Sequence, residues 1–193
     1  MKQIAMGWTM YAQDYDGRLV YFRYFVSGPG LATNPVGTSE MAAVEPYIKN
    51  TGVYMCPNAT TIKPTGVNCL TNPTHWYCSS YGLPAVHASD NRIAAVINIR
   101  FGGSVTILDT VPEPSLTCLL AENRRTPADV NGMSHFYAFS FPAGGLDGLP
   151  VLDRHLDGSN YAYMDGHVKW LKEETAQIPR TDNQAIKFWW PKP

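Results

Sequence analysis

The pair Asp165-Gly166 constrains this chain more than any other dipeptide in it. Ser159-Asn160-Tyr161-Ala162-Tyr163-Met164 precedes it, and His167-Val168-Lys169-Trp170-Leu171 follows. Both runs have strand-type composition, suited to a pleated, half-buried surface. Asp-Gly between them predicts a β-hairpin with a type I′ turn, since that turn needs positive φ at both central residues. Alternation then puts Tyr161 and Tyr163 on one face of the first strand, with Ala162 and Met164 on the other. In the return strand, Val168 and Trp170 share a face opposite His167, Lys169 and Leu171.

Further toward the N-terminus the periodicity changes. Ile4, Trp8, Tyr11 and Tyr15 recur at helical spacing, with Ala5 and Ala12 widening the stripe, which predicts a helix over 2–15. Asp16-Gly17 ends it, with Gly17 suited to the left-handed region. Residues 19–26 have strand composition, and 27–38 are a Gly/Pro/Asn/Thr loop. Met41, Val44 and Ile48 would line one side of a short helix over 40–49, which Pro46 limits to two turns or less. Residues 50–84 carry Pro57, Pro64, Pro73 and Pro84 and read as irregular. Residues 93–100 and 104–110 read as strands around Gly102-Gly103, 116–121 as a strand buried on both faces, and 135–141 as an aromatic-rich strand. The Pro-bounded tail, 175–193, brings Trp189-Trp190 onto the body. One helix followed by strands gives an α+β class: an N-terminal helix packed on an antiparallel β-sheet, with a loop-rich insertion at about 50–92.

The bulk properties narrow the partners. With 193 residues, 45% hydrophobic and 16% charged, the chain can bury a real core. The net charge of −1 and the scattered Lys and Arg leave no basic field for a polyanion, so no nucleic-acid partner is expected. No apolar run is long enough to span a bilayer. Cys56, Cys69 and Cys78 crowd one loop-rich stretch, where a disulfide among them and free thiols are both open readings. Their spacing, without a C-x-x-C pair, argues against a zinc site, and no metal is expected. Cys118, inside an apolar run, reads as a free buried thiol.

Three segments in order resemble one group of proteins. They are Lys2 to Gly17; Tyr47-Ile48-Lys49-Asn50 with Val53-Tyr54-Met55-Cys56-Pro57 and Ser80-Tyr81-Gly82; and Arg154 to Leu171, in which nine residues separate His155 from Asp165-Gly166. Together they are similar to the type IV pilin-like, or type II secretion pseudopilin-like, proteins that carry a prepilin-type cleavage/methylation segment and end in a His-x9-Asp-Gly motif. The resemblance implies that residues 1–17 are the C-terminal part of a long N-terminal helix and 18–193 a globular β-rich domain. It implies an apolar half-helix ahead of Met1, the sole membrane contact, and an extracellular, cell-surface or periplasm-facing location. It also implies helical filaments built from copies of this chain, with other pilin-like subunits as further partners. Calcium enters by analogy with pseudopilins, with Asp147, Asp153 and Asp157 as candidate ligands.

The same residues admit plainer and sharper readings. His155 and Asp165, with His167 and Asp157 nearby, could form a catalytic or metal pair. The structural reading has Asp165 serving the turn while His155 bonds a backbone group or Asp165; it is preferred, because backbone geometry already explains Asp-Gly. His155, Asp165, Gly166, His167 and Trp170 are therefore motif residues with structural roles. Ile4, Trp8, Tyr11 and Tyr15 are packing residues, and the outward side of their helix would meet neighbouring subunits. Asn58-Ala59-Thr60 matches the N-glycosylation pattern. No nucleophile elbow, dinucleotide fingerprint, phosphate loop or metalloprotease helix is present, and no catalytic residue is expected. The function expected is a non-catalytic filament subunit. The alternatives are a surface carbohydrate-binding module, suggested by the aromatic content, and a metal-dependent hydrolase built on His155, Asp165 and His167.

Overall fold

The computed structural model of the chain describes residues 1–19, 40–59, 79–85, 107–122, 135–137, 154–172 and 175. They contain one helix, α1 (Lys2–Asp14), and strands β1 (Tyr81–Ala85), β2 (Cys118–Glu122), β3 (His135–Tyr137), β4 (Gly158–Tyr163) and β5 (Val168–Lys172). The strands form one five-stranded sheet in the order β3-β1-β2-β4-β5. Strands β1, β2, β4 and β5 pair antiparallel, and β3 joins the outer edge of β1 in parallel. The α+β class stands; the parallel edge strand departs from the all-antiparallel layer expected. Among the described residues, no helix is long and apolar enough to cross a membrane.

Helix α1 buries Ile4, Ala5, Trp8 and Ala12. It touches β4 and the segment after residue 44. Tyr11 is partly buried, but Tyr15 is 52% exposed and stacks on Tyr11 at 4.3 Å. The packing stripe expected to include Tyr15 therefore ends one turn earlier. The helix stops at Asp14, Tyr15 leaves it at φ −121°, and Asp16 and Gly17 both take positive φ, so Tyr15 no longer follows the helical phase. Gly17 N–H closes the end by donating to the Ala12 carbonyl at 2.7 Å.

Met41, Val44 and Ile48 are all buried, as the spacing predicts. Their backbone forms two 3-10 turns, Glu40–Ala43 and Glu45–Tyr47, broken at Val44. Pro46 sits in the first turn of the second, where its missing N–H costs nothing. Strand β2 is buried at every position, matching the reading of a strand covered on both faces.

Elsewhere the sequence reading needs correction. Strand β1 arises inside the stretch 50–84 read as irregular, where Gly82 and Pro84 hide the strand pattern. Tyr81 and Gly82 pair with β2, whereas Leu83 to Ala85 pair with β3, so Pro84 falls beyond the contact with β2. Tyr54 and Leu83 belong to the core, so the ends of the supposed insertion at 50–92 are integral to the body. Residues 107–110 form no strand: Ile107 makes an isolated bridge with Arg18, and Leu108–Thr110 is a 3-10 turn. The strand read over 93–100, the strand read over 19–26 beyond Leu19, the loop at 27–38 and the tail with Trp189-Trp190 lie outside the described residues.

The hairpin is present, with Ala162 opposite Val168 and Gly158 opposite Lys172. Its turn is not type I′. Of the two central residues only Gly166 has positive φ, at 86°. Tyr163 N–H donates to the His167 carbonyl at 2.9 Å, and Gly166 N–H to the Tyr163 carbonyl at 2.9 Å. The loop is thus Met164-Asp165-Gly166, the three-residue pattern closed by a left-handed glycine. Strand β4 is covered on both faces, so Tyr161, Ala162, Tyr163 and Met164 are all in the core. Edge strand β5 is mostly exposed.

The Trp170 indole lies across the start of β4. A Cβ on Gly158 would collide with its ring and with the Leu171 carbonyl oxygen. Gly158→Ala is therefore expected to cost about 1–3 kcal/mol through overpacking. Urea unfolding of the variant beside the parent measures this, and an unchanged midpoint would show that the indole is not held there.

Candidate functional site

Strand β2 is apolar until its last residue, Glu122, whose side chain is wholly buried. A carboxylate withdrawn from water must be paired and hydrogen-bonded, or it is paid for in stability. Glu122 Oε2 accepts from Arg154 Nη1 at 3.1 Å. Its Oε1 lies 2.9 Å from His155 Nε2 and accepts from Asn160 Nδ2 at 3.1 Å. Arg154 also reaches the Ser80 carbonyl at 3.4 Å, tying the group to the strand entering β1.

Cys56 completes the cluster. It follows the 3-10 turn Thr51–Tyr54, is buried, and places Sγ 3.5 Å from His155 Nε2. On the other side of the ring, Asn58 Nδ2 lies 3.4 Å from Nδ1. Tyr81 hydrogen-bonds Cys56, and its phenol pKa is pushed up, mainly by burial and further by Cys56 and Glu122, with Arg154 opposing.

The turn that delivers Arg154 and His155 is unusual. Leu156 and Asp157 have φ of 54° and 59°, and His155 N–H donates to the Gly158 carbonyl at 2.8 Å. Positive φ at two successive central residues is the feature expected at Asp165-Gly166, displaced to the start of β4. Leu156 is 94% exposed, so no packing rewards its conformation. A left-handed Leu costs roughly 1–2 kcal/mol. Trp170 Nε1 donates to the His155 carbonyl at 2.8 Å and holds the turn against β5.

His155 and Asp165 do not meet. Strand β4 lies between them, on the order of 20 Å of extended chain. Asp165 Oδ1 accepts from the backbone N–H of His167 at 3.1 Å and sits 2.6 Å from its Nδ1, while the His167 ring stacks on Tyr163 at 4.1 Å. Asp165 thus serves its turn, and the hydrolase constellation of His155, Asp165 and His167 is not assembled. Cys56 is a free thiol committed to the polar cluster, so the reading of a disulfide through it is corrected; Cys69 and Cys78 lie outside the described residues. Cys118 is free and buried as expected, and burial raises its pKa well above the ordinary value. Asp157 is exposed on the turn, and Asp147 and Asp153 lie outside the described residues. The Asn58 amide nitrogen, which a glycan would occupy, faces His155.

Cysteine, histidine and a carboxylate suggest an activated thiol, but the wiring differs. In a nucleophile triad the imidazole faces the nucleophile through one nitrogen and the carboxylate through the other. Here Cys56 and Glu122 both approach Nε2. Their ligand atoms and that nitrogen all lie within 4.8 Å of one another, and among the described residues no other His, Cys, Asp or Glu side chains gather this way. Elsewhere, a cleft of about 540 Å³ between the end of α1 and the Met164-Asp165 turn is lined in part by Asp16, Asp109 and Asp165.

Glu122 escapes the sequence pattern because the apolar run ends at residue 121, and Cys56 stands out there only beside the other cysteines. The available signal was a charged residue at the end of a fully apolar strand. Comparisons with family models, curated proteins and solved structures give no match.

Leu156→Gly removes the left-handed penalty at a solvent-exposed position and is expected to stabilise the fold by up to ~1 kcal/mol. Thermal denaturation measures it; a fall in melting temperature would contradict the assigned turn geometry.

Proposed function

We propose that this chain is a structural subunit of a pilin-like, pseudopilin-like filament at the bacterial surface or facing the periplasm, polymerising with copies of itself and with no catalytic role. The observation that carries the reading is the two-sided character of α1. One side is buried against the body through Ile4, Ala5, Trp8 and Ala12, while Met6 and Met10, one turn apart on the other side, are 51% and 46% exposed. Methionines exposed in line on a helix are an adaptable apolar strip of the kind subunits use to pack. A head-to-tail contact of this sort that does not close on itself generates a helical filament. The helix-on-sheet arrangement and the Asp165-Gly166 hairpin are also compatible with a pilin-like fold. In this reading, membrane contact belongs to a segment ahead of α1.

The test is immunogold electron microscopy of cells producing the protein from its own gene, beside cells carrying Met6→Glu/Met10→Glu. The reading expects labelled filaments in the first and none in the second, with the isolated variant within ~0.5 kcal/mol of the parent in stability, as surface substitutions usually are. Absence of labelled filaments in the parent, or filaments indifferent to the two charges, would contradict it.

A further inference from the structure

We infer that Cys56 Sγ, Glu122 Oε1 and His155 Nε2 form a binding site for a borderline divalent metal, zinc being the best fit. The geometry carries this. His155 Nε2 can offer one proton or one lone pair, yet a thiol at 3.5 Å and a carboxylate oxygen at 2.9 Å both converge on it. Only one of them can share that nitrogen in a hydrogen bond, whereas a metal at their centre takes all three as ligands. Zinc bonds to sulfur and nitrogen in a tetrahedral site put those ligand atoms about 3.5 Å apart, and bonds to nitrogen and oxygen about 3.4 Å apart. The observed sulfur–nitrogen separation already has that value, and the nitrogen–oxygen pair needs to open by only about half an ångström.

The surroundings resemble a metal's outer sphere. Arg154 occupies Oε2, and Asn160 donates to the ligand oxygen itself, Oε1, from its side-chain amide at 3.1 Å and its backbone N–H at 3.4 Å, which fixes that oxygen in place. Outer partners of this kind orient ligands and fix their tautomers. Asn58 has the matching role on the ring. With its Nδ2 toward Nδ1, the imidazole proton sits on Nε2 and faces Glu122. Turning the exposed amide by half a rotation presents Oδ1 instead, which accepts a proton on Nδ1 and frees the Nε2 lone pair. Cys56 and Glu122 form a buried wall, whereas the His155 side chain is 25% exposed, so the metal enters from that side and a fourth position faces water. Mixed sulfur, nitrogen and oxygen donors favour zinc over calcium or magnesium. Arg154 is a like charge beside the metal and moderates its affinity.

The test is titration of the full, reduced chain with cobalt(II), a spectroscopic substitute for zinc. The inference expects one equivalent to produce a thiolate-to-cobalt charge-transfer band and the visible bands of a four-coordinate ion, both bleached by one equivalent of zinc. Cys56→Ser should abolish the charge-transfer band. Asn58→Ala, on the exposed side, should weaken binding by roughly 10-fold or more. A parent protein that gives no charge-transfer band would overturn the inference, whatever the variants do. So would a band that persists in Cys56→Ser, because another cysteine would then hold the metal.

Discussion

A buried carboxylate is the constraint around which the described part of this protein is organised. Glu122 ends an apolar strand and keeps none of its side-chain surface in water. The desolvation of such a group amounts to several kcal/mol even after relaxation. Its compensation comes from residues far apart in the chain: Arg154 and His155 on the turn before β4, and Asn160 within β4. Cys56 joins through the same imidazole. The pairing of β2 with β4 and the approach of the segment around residue 56 are thus bound to one electrostatic requirement. Hydrophobic burial from α1 and the 41–48 segment adds stability, but burial is not directional. The hydrogen-bonded charge specifies which turn faces which strand end.

That requirement gives the His-x9-Asp-Gly spacing a mechanical meaning. The nine intervening residues are the turn Leu156-Asp157, the whole of β4 and Met164. The motif measures one strand with its two reversals. Its histidine anchors the entry of that strand to the buried cluster, and its Asp-Gly makes the exit turn. The two ends do separate work and never touch. Trp170 braces the entry end alone, lying over Gly158 and bonding the His155 carbonyl.

Much of this was legible in the sequence where a local pattern carried the information. The α1 stripe, the left-handed Gly17, a buried strand within 116–121 and the hairpin itself follow from periodicity and turn chemistry. The misreadings share a physical cause. Whether Asp165 takes positive φ depends on strand register across the turn, which composition does not encode. Strand β1 was hidden because its partners, β2 and β3, lie far along the chain and supply what Gly82 and Pro84 withhold. The cluster of Cys56, Glu122 and His155 joins three sequence regions, and no spacing rule connects them. Leu156 gave no warning either, since Leu is among the residues least expected in the left-handed region.

The filament reading and the metal reading rest on different parts of the molecule. The first depends on the outer side of α1, the second on the cluster at the β2 and β4 ends, and either can fail alone. The metal reading, like the organisation of the described body, presupposes that Glu122 is held by its compensating partners. A double-mutant cycle on Glu122→Gln and Arg154→Met, followed by urea unfolding, measures that most directly. The account predicts single variants destabilised by several kcal/mol and a double variant much less destabilised than their sum, with a coupling above ~1.5 kcal/mol. Additivity within ~0.5 kcal/mol would mean that the two side chains do not depend on each other, and would contradict it.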